Sequence, residues 1–153
     1  MKILMVCLGN ICRSPVAEGV LKQIASQKNI QLEVDSAGTA GYHINEHPDH
    51  RSVKNAKKNG VDISKLKARK FTKSDFDAFD RIFVMDDSNY KNVISMSNEK
   101  FHHQKVDLLL NQLFPDKNLP VPDPYYGNEN DFEEVFQLIY KACDRFTDNL
   151  KSK

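Results

Sequence analysis

No stretch of this sequence is apolar for long. The first such run, Ile3 to Leu8, holds six residues before Gly9-Asn10 and Arg13, too short for the core of a signal peptide or a membrane span. Neither sign of charge prevails: 22 basic and 21 acidic side chains leave a formal +1, so no global field recruits nucleic acid or an anionic membrane, and neither is expected as a partner. Cysteine is scarce. The three, Cys7, Cys12 and Cys143, are odd in number and lack paired ligand spacing, which excludes a secreted disulfide framework and a zinc site. No metal or other cofactor is expected, and the chain reads as cytoplasmic, where a free thiol is available for chemistry. There is no low-complexity segment, and 153 residues at 40% hydrophobic suit a single domain over 1–153.

What is present alternates. Lys2 to Cys7 is a β-branched and apolar run ending at Gly9-Asn10, and Ser14-Pro15 opens a segment with apolar Val16, Ala17, Val20, Leu21 and Ile24. That predicts strand, loop and helix, with Ser14 as N-cap and Pro15 at the first helical position. Leu32 to Ser36 predicts a second strand, followed by a flexible Ala37-Gly38-Thr39-Ala40-Gly41. A helix from about Pro48 ends at Gly60, and another starts at Thr72-x-x-Asp75. Arg81 to Met85 predicts the third strand, with Asp86-Asp87-Ser88 at a helix entrance, and Val106 to Leu110 a weaker fourth. Four prolines from Pro115 to Pro124 mark a restricted loop. From Asp131, apolar residues recur at three and four along one face of a closing helix. Strands alternating with helices imply an α/β fold, a parallel four-stranded sheet with helices on both faces. Ligands of such sheets sit beyond the carboxyl ends of the strands, which directs attention to the segment after the first one.

That segment is Cys7-Leu8-Gly9-Asn10-Ile11-Cys12-Arg13-Ser14. A loop wound onto a helix N-terminus offers a phosphoryl dianion several backbone N–H groups and the positive end of a dipole. Gly9 and Asn10 can take the positive φ that turns amides inward. The phosphate-binding surface is therefore expected at Leu8, Gly9, Asn10, Ile11, Cys12, Arg13 and Ser14. The same donors favour Cys7 as thiolate, the nucleophile for in-line attack at phosphorus. Arg13, planar and always charged, suits two equatorial oxygens at once, and the Ser14 hydroxyl is placed to donate to the sulfur. A cysteine and an arginine five residues apart arise often by chance, and a cysteine at a strand end is usually packing. The glycine-asparagine turn and the helix start on either side make coincidence a poor account.

An aryl leaving group needs a proton. Asp123, between Pro122 and Pro124 and before Tyr125-Tyr126, is the candidate general acid, with the tyrosines as an aromatic wall. On its own it would read as a turn residue.

With these residues in view, the chain resembles the low-molecular-weight protein tyrosine phosphatases from Lys2 to about Phe146. The C-L-G-N-I-C-R-S-P and D-P-Y-Y-G segments carry the likeness, and Asp35 to Thr39, Ala68-Arg69, Asp75-Phe76, Phe79-Asp80 and Met85-Asp86 add to it. The resemblance implies a four-stranded parallel sheet, no metal and a phosphocysteine intermediate. Cys7 would be nucleophile, Arg13 the phosphate ligand and Asp123 the acid, with Asn10 and Ser14 organising the loop. Tyr42 and Tyr125 would flank the ring of a tyrosine-phosphorylated protein or small aryl phosphate, and inorganic phosphate would be the product. One position departs: Leu66 stands where the family often has a histidine, which puts any brace from that residue to Asn10 in doubt. His43, His47, His50, His102 and His103 read as surface residues. Lys65, Lys67, Arg69, Lys70 and Lys73 read as a solvated basic face able to attract acidic phosphoprotein segments.

Three rival functions are set against this. An arsenate reductase needs two further relay cysteines, and only Cys143 remains beside the loop pair. A protein arginine phosphatase tends to carry threonine where Ile11 stands and lacks the paired tyrosines. A phosphate-binding module without turnover does not require Cys7, Arg13 and Asp123 together. Cys12 could also form a reversible disulfide with Cys7 that guards it from overoxidation.

Overall fold

Along β1 (Lys2–Cys7), Ile3, Met5 and Cys7 alternate with Leu4 and Val6, and both sets are buried. Successive strand side chains point to opposite faces, so a strand apolar throughout must be covered on both. The computed structural model, which describes residues 1–152, shows how this is done. β1, β2 (Glu33–Gly38), β3 (Arg81–Val84) and β4 (Val106–Leu108) form one all-parallel sheet in the order β2-β1-β3-β4. On one face, Ile3, Met5 and Phe83 pack with Val20 and Leu21 of α1 (Arg13–Gln27) and with Ile139 and Phe146 of α6 (Glu129–Lys151). On the other, Leu4, Val6, Ile82 and Val84 pack with Phe71, with Phe76 of α3 (Asp75–Ala78) and with Val93 of α4 (Asp87–Ile94). The expected four-stranded α/β fold is present. α2 (His50–Lys58) lies against α6, and a one-turn α5 (Lys100–His103) that the sequence pattern did not suggest precedes β4. Among the described residues no helix is long and apolar enough to cross a membrane.

Several boundaries differ from the sequence reading for identifiable reasons. β2 runs on to Gly38 because its register pairs Lys2 with Glu33 and Cys7 with Gly38, so Ala37 and Gly38 are strand, not loop. β4 stops at Leu108, and Leu109 and Leu110 turn in a short 3-10 segment to reach the core under α6. α1 begins at Arg13, which makes Ser14 its second residue and not its N-cap. Pro15 still falls in the first turn, where its missing N–H costs nothing. α6 begins at Glu129 with Asn128 as N-cap, and Asp131 closes a reciprocal capping box. Gly60 follows α2 at φ +84, the left-handed position expected of a residue after a helix.

His102 is a correction. It is buried, stacks on Phe76 with ring centroids 4.8 Å apart, and bonds to Ser97 Oγ at 2.6 Å and Asp77 Oδ1 at 2.9 Å. It pins α5 to α3.

Candidate active site

The carboxyl end of β1 delivers Cys7, and the chain then turns through Asn10 at φ +58 into α1. The outer side of this loop is tied down by its carbonyls: Thr39 N–H donates to Cys7 O at 2.9 Å, Ala40 N–H to Leu8 O at 2.9 Å and Asp49 N–H to Ile11 O at 2.8 Å. Carbonyls engaged outward leave N–H groups for an anion on the inner side. Gly38 permits the close approach, because a Cβ there would lie 2.8 Å from Leu8 O. The sequence pattern marked that glycine only as part of a flexible loop.

Asn10 N–H points at Cys7 Sγ at 3.3 Å and the Ser14 hydroxyl lies 3.0 Å from the same sulfur. The Asn10 side chain is fully engaged. Its Nδ2 donates to Ser14 Oγ at 2.8 Å and Ser36 Oγ at 2.9 Å, and its Oδ1 accepts from Arg69 N at 3.0 Å. Ser36 in turn donates to the buried Glu18 carboxylate at 2.6 Å, which is paired with Lys22. The missing histidine is thereby accounted for: Leu66 packs against the core on the α1 side of the sheet, and the brace on Asn10 comes from Ser36 and the Arg69 backbone. Asn10 and Ser14 lie beneath the loop and shape it, with neither side chain lining the cavity.

Arg13 is 3% exposed. A guanidinium so buried would be costly without partners, by several kcal/mol. One nitrogen donates to Asp86 Oδ2 at 2.8 Å and to Val121 O at 2.9 Å. The other lies 3.8 Å from Asp123 Oδ2. Asp86 also N-caps α4, its Oδ1 accepting from Asn89 N at 2.8 Å. The sequence reading gave Asp86 the helix entrance but not the arginine. Its place just past the end of β3, the strand beside β1, was the available signal. Val121 N–H donates to Met85 O at 2.8 Å, which docks the proline-rich loop onto the same strand end. Asp123, nearly half exposed, accepts from Tyr125 N at 3.1 Å.

These groups meet in a cavity of about 270 Å³ bordered by Cys7, Leu8, Gly9, Ile11, Cys12, Arg13, Tyr42, His43, Asp123, Tyr125 and Tyr126. Tyr126 and Tyr42 are 98% and 77% exposed and stand at the mouth, whereas Tyr125 is packed more closely, edge to face with Tyr126. His43 was read from sequence as an ordinary surface residue. It borders the cavity instead, against Gly9, with Nδ1 2.7 Å from Glu46 Oε2. Arg69 is a second correction, since its charge bonds to Asp35 and bidentately to Asp75 and does not belong to a solvated face. All three cysteines are free. Burial, reinforced by Asp49, pushes the Cys12 thiol up to about 12, and burial raises Cys143 as well.

The family model described as low molecular weight phosphotyrosine protein phosphatase matches residues 2–153. A protein of that name from Homo sapiens is 44% identical over 147 residues, covering 94% of this chain and 92% of its own. Among solved structures, a protein tyrosine phosphatase from Entamoeba histolytica superposes with a TM-score of 0.93 at 37% identity, covering 99% of this chain and 97% of that one. DARP, described as a Drosophila arginine phosphatase, superposes with a TM-score of 0.92 at 32% identity, covering 100% and 99%.

Proposed function

The chain belongs to the low molecular weight phosphotyrosine protein phosphatase family, and on that premise we propose that it hydrolyses phosphotyrosine through a phosphocysteine formed on Cys7. The observation that carries this reading is the sulfur of Cys7, set among the Asn10 N–H and the Ser14 hydroxyl at the base of a cavity walled by Tyr125. In the first step the Cys7 thiolate attacks phosphorus in line, the P–S bond forms and the P–O bond to the aryl group breaks. The departing oxygen takes a proton from the Asp123 carboxyl. Arg13 clamps two equatorial oxygens, held at that angle by Asp86 and the Val121 carbonyl. In the second step Asp123 takes a proton from water as the water attacks phosphorus. The sulfur leaves as thiolate, and the Ser14 hydroxyl and Asn10 N–H stabilise its charge. Inorganic phosphate is released.

Ile11 at the cavity wall offers a branched apolar side chain to the edge of a phenyl ring, where a guanidinium would be better served by a hydroxyl. The likeness to a Drosophila arginine phosphatase makes phosphoarginine the second reading. Initial rates on matched peptides separate the two: kcat/KM is expected to favour phosphotyrosine by about 100-fold. Cys7→Ser is expected to abolish turnover while inorganic phosphate still binds. A preference for phosphoarginine overturns the substrate, and residual hydrolysis by Cys7→Ser overturns the nucleophile.

A further inference from the structure

A ring that lines a pocket selects substrates only if something holds it in place. Tyr125 projects from the loop before α6, 39% exposed. The Cζ of Arg51, in the first turn of α2, lies 5.3 Å from its ring centroid and 4.8 Å from that of Phe132 on α6. The guanidinium is itself fixed, because Nε and one terminal nitrogen donate to the two oxygens of Asp49 at 3.0 and 2.8 Å. Asp49 caps α2 by accepting from Arg51 N at 2.9 Å, and its own N–H donates to Ile11 O at 2.8 Å. Beyond the ring, Tyr125 N–H reaches the Asp123 carboxylate. A continuous strut thus runs from the phosphate loop through Asp49 and Arg51 to the aromatic wall.

An ion pair on an open surface would explain none of this, being worth about 0–1 kcal/mol and free to wander. Here the Asp49 side chain is 10% exposed. The hydrogen bond from Arg51 holds its carboxyl below the usual range against the effect of burial. The geometry also explains the residue type. A guanidinium can bond a carboxylate along its edge while offering flat faces to rings, which an ammonium cannot.

We propose that Arg51 is the positioning residue for the aromatic selectivity of this site: pinned by Asp49, it fixes the Tyr125 ring against which a substrate ring packs. This rests on the reading of the cavity as a site for ring-bearing phosphate esters.

The test compares binding of benzylphosphonate, methylphosphonate and inorganic phosphate by titration calorimetry. Arg51→Lys keeps the charge and a link to Asp49 but loses the flat face. Arg51→Leu, which keeps apolar bulk against Phe132, replaces it if the lysine variant does not fold. Benzylphosphonate is expected to weaken about fivefold, the size of one partly desolvated cation–π contact. Methylphosphonate and phosphate should change by less than about twofold, and so should benzylphosphonate when Arg51 is altered in a Tyr125→Leu background. Equal losses for all three ligands would mean that Arg51 acts on the phosphate loop through Asp49. Unchanged benzylphosphonate binding, or an equal loss without the Tyr125 ring, would mean that the ring is held by other means. Each of these results overturns the proposal. Binding is read without turnover, so a preference for phosphoarginine would defeat the functional reading and leave the Arg51 comparison decisive on its own terms.

Discussion

Asp86 divides its carboxylate between two tasks, one oxygen starting α4 and the other holding Arg13. The division can be taken apart by substitution. In Asp86→Asn the amide oxygen still accepts from Asn89 N–H, so the cap survives while Arg13 loses its counter-charge. In Asp86→Ala both are lost. Breaking a fully buried pair costs about 3–5 kcal/mol, but the Asp86 side chain is 26% exposed and Arg13 borders an open cavity, so a smaller loss applies. We expect kcat/KM for an aryl phosphate to fall by about 10- to 100-fold in both variants, the range of lost orienting contacts. Asp86→Ala should lose about 1 kcal/mol more stability than Asp86→Asn, from the cap. Steady-state kinetics beside urea unfolding separate the effects, and wild-type kcat/KM in Asp86→Asn would contradict the link to Arg13.

Between elements, α2 is fastened to α6 by Glu133, whose carboxylate accepts from Asn55 at 3.1 Å, Asn59 at 2.9 Å and Gln137 at 2.7 Å. The bonds from Asn59 and then Gln137 hold this carboxyl below its ordinary value of 4.5. A group whose folded value is depressed adds stability above its unfolded value, and that stability is lost as pH falls through the folded one. The wild-type advantage over Glu133→Gln in unfolding free energy should therefore be full near neutrality and shrink as urea titrations move to acid below 4.5. An advantage independent of pH would contradict it. The elements themselves were unequally legible. β1 announces itself because it is apolar on both faces, and α6 because its period persists over 23 residues. β4, three residues long, shows only as a weak apolar run, and α5, four residues long, not at all, since so few residues display no period. Ser14-Pro15 carries the local signature of a cap, but Cys7 and Asn10 of the same loop claim the hydroxyl. Cys7, Asn10 and Arg13 were readable because one loop contains them. Asp86, His43 and Arg51 were not, because their importance arises from contacts that only the folded chain makes.

For the molecule as a whole, the sheet order places β1 inside, with β2 on one side and β3 on the other. The loop after it lies where the chain reverses direction across the sheet, the usual seat of a ligand in such folds. Thiol chemistry is distributed to match. Cys12, pushed up to about 12 by burial and Asp49, stays protonated at neutral pH beside the cavity, and burial suppresses Cys143 in the core. Iodoacetate, itself an anion, should alkylate the native protein once, at Cys7, and phosphate should protect it. Peptide mass mapping that found the label on Cys12 or Cys143 would contradict this.

The mouth of the cavity is built differently from its base. Cys7, Asn10 and Arg13 are bound into networks in which each bond depends on others, while Tyr126 stands almost wholly, and Tyr42 largely, in water. Such a site behaves like a tool with a fixed shank and an interchangeable bit. Engineering a new preference should begin at those two tyrosines, where libraries can be drawn widely without threatening the machinery below, and leave Tyr125 to be varied only together with the arginine behind it.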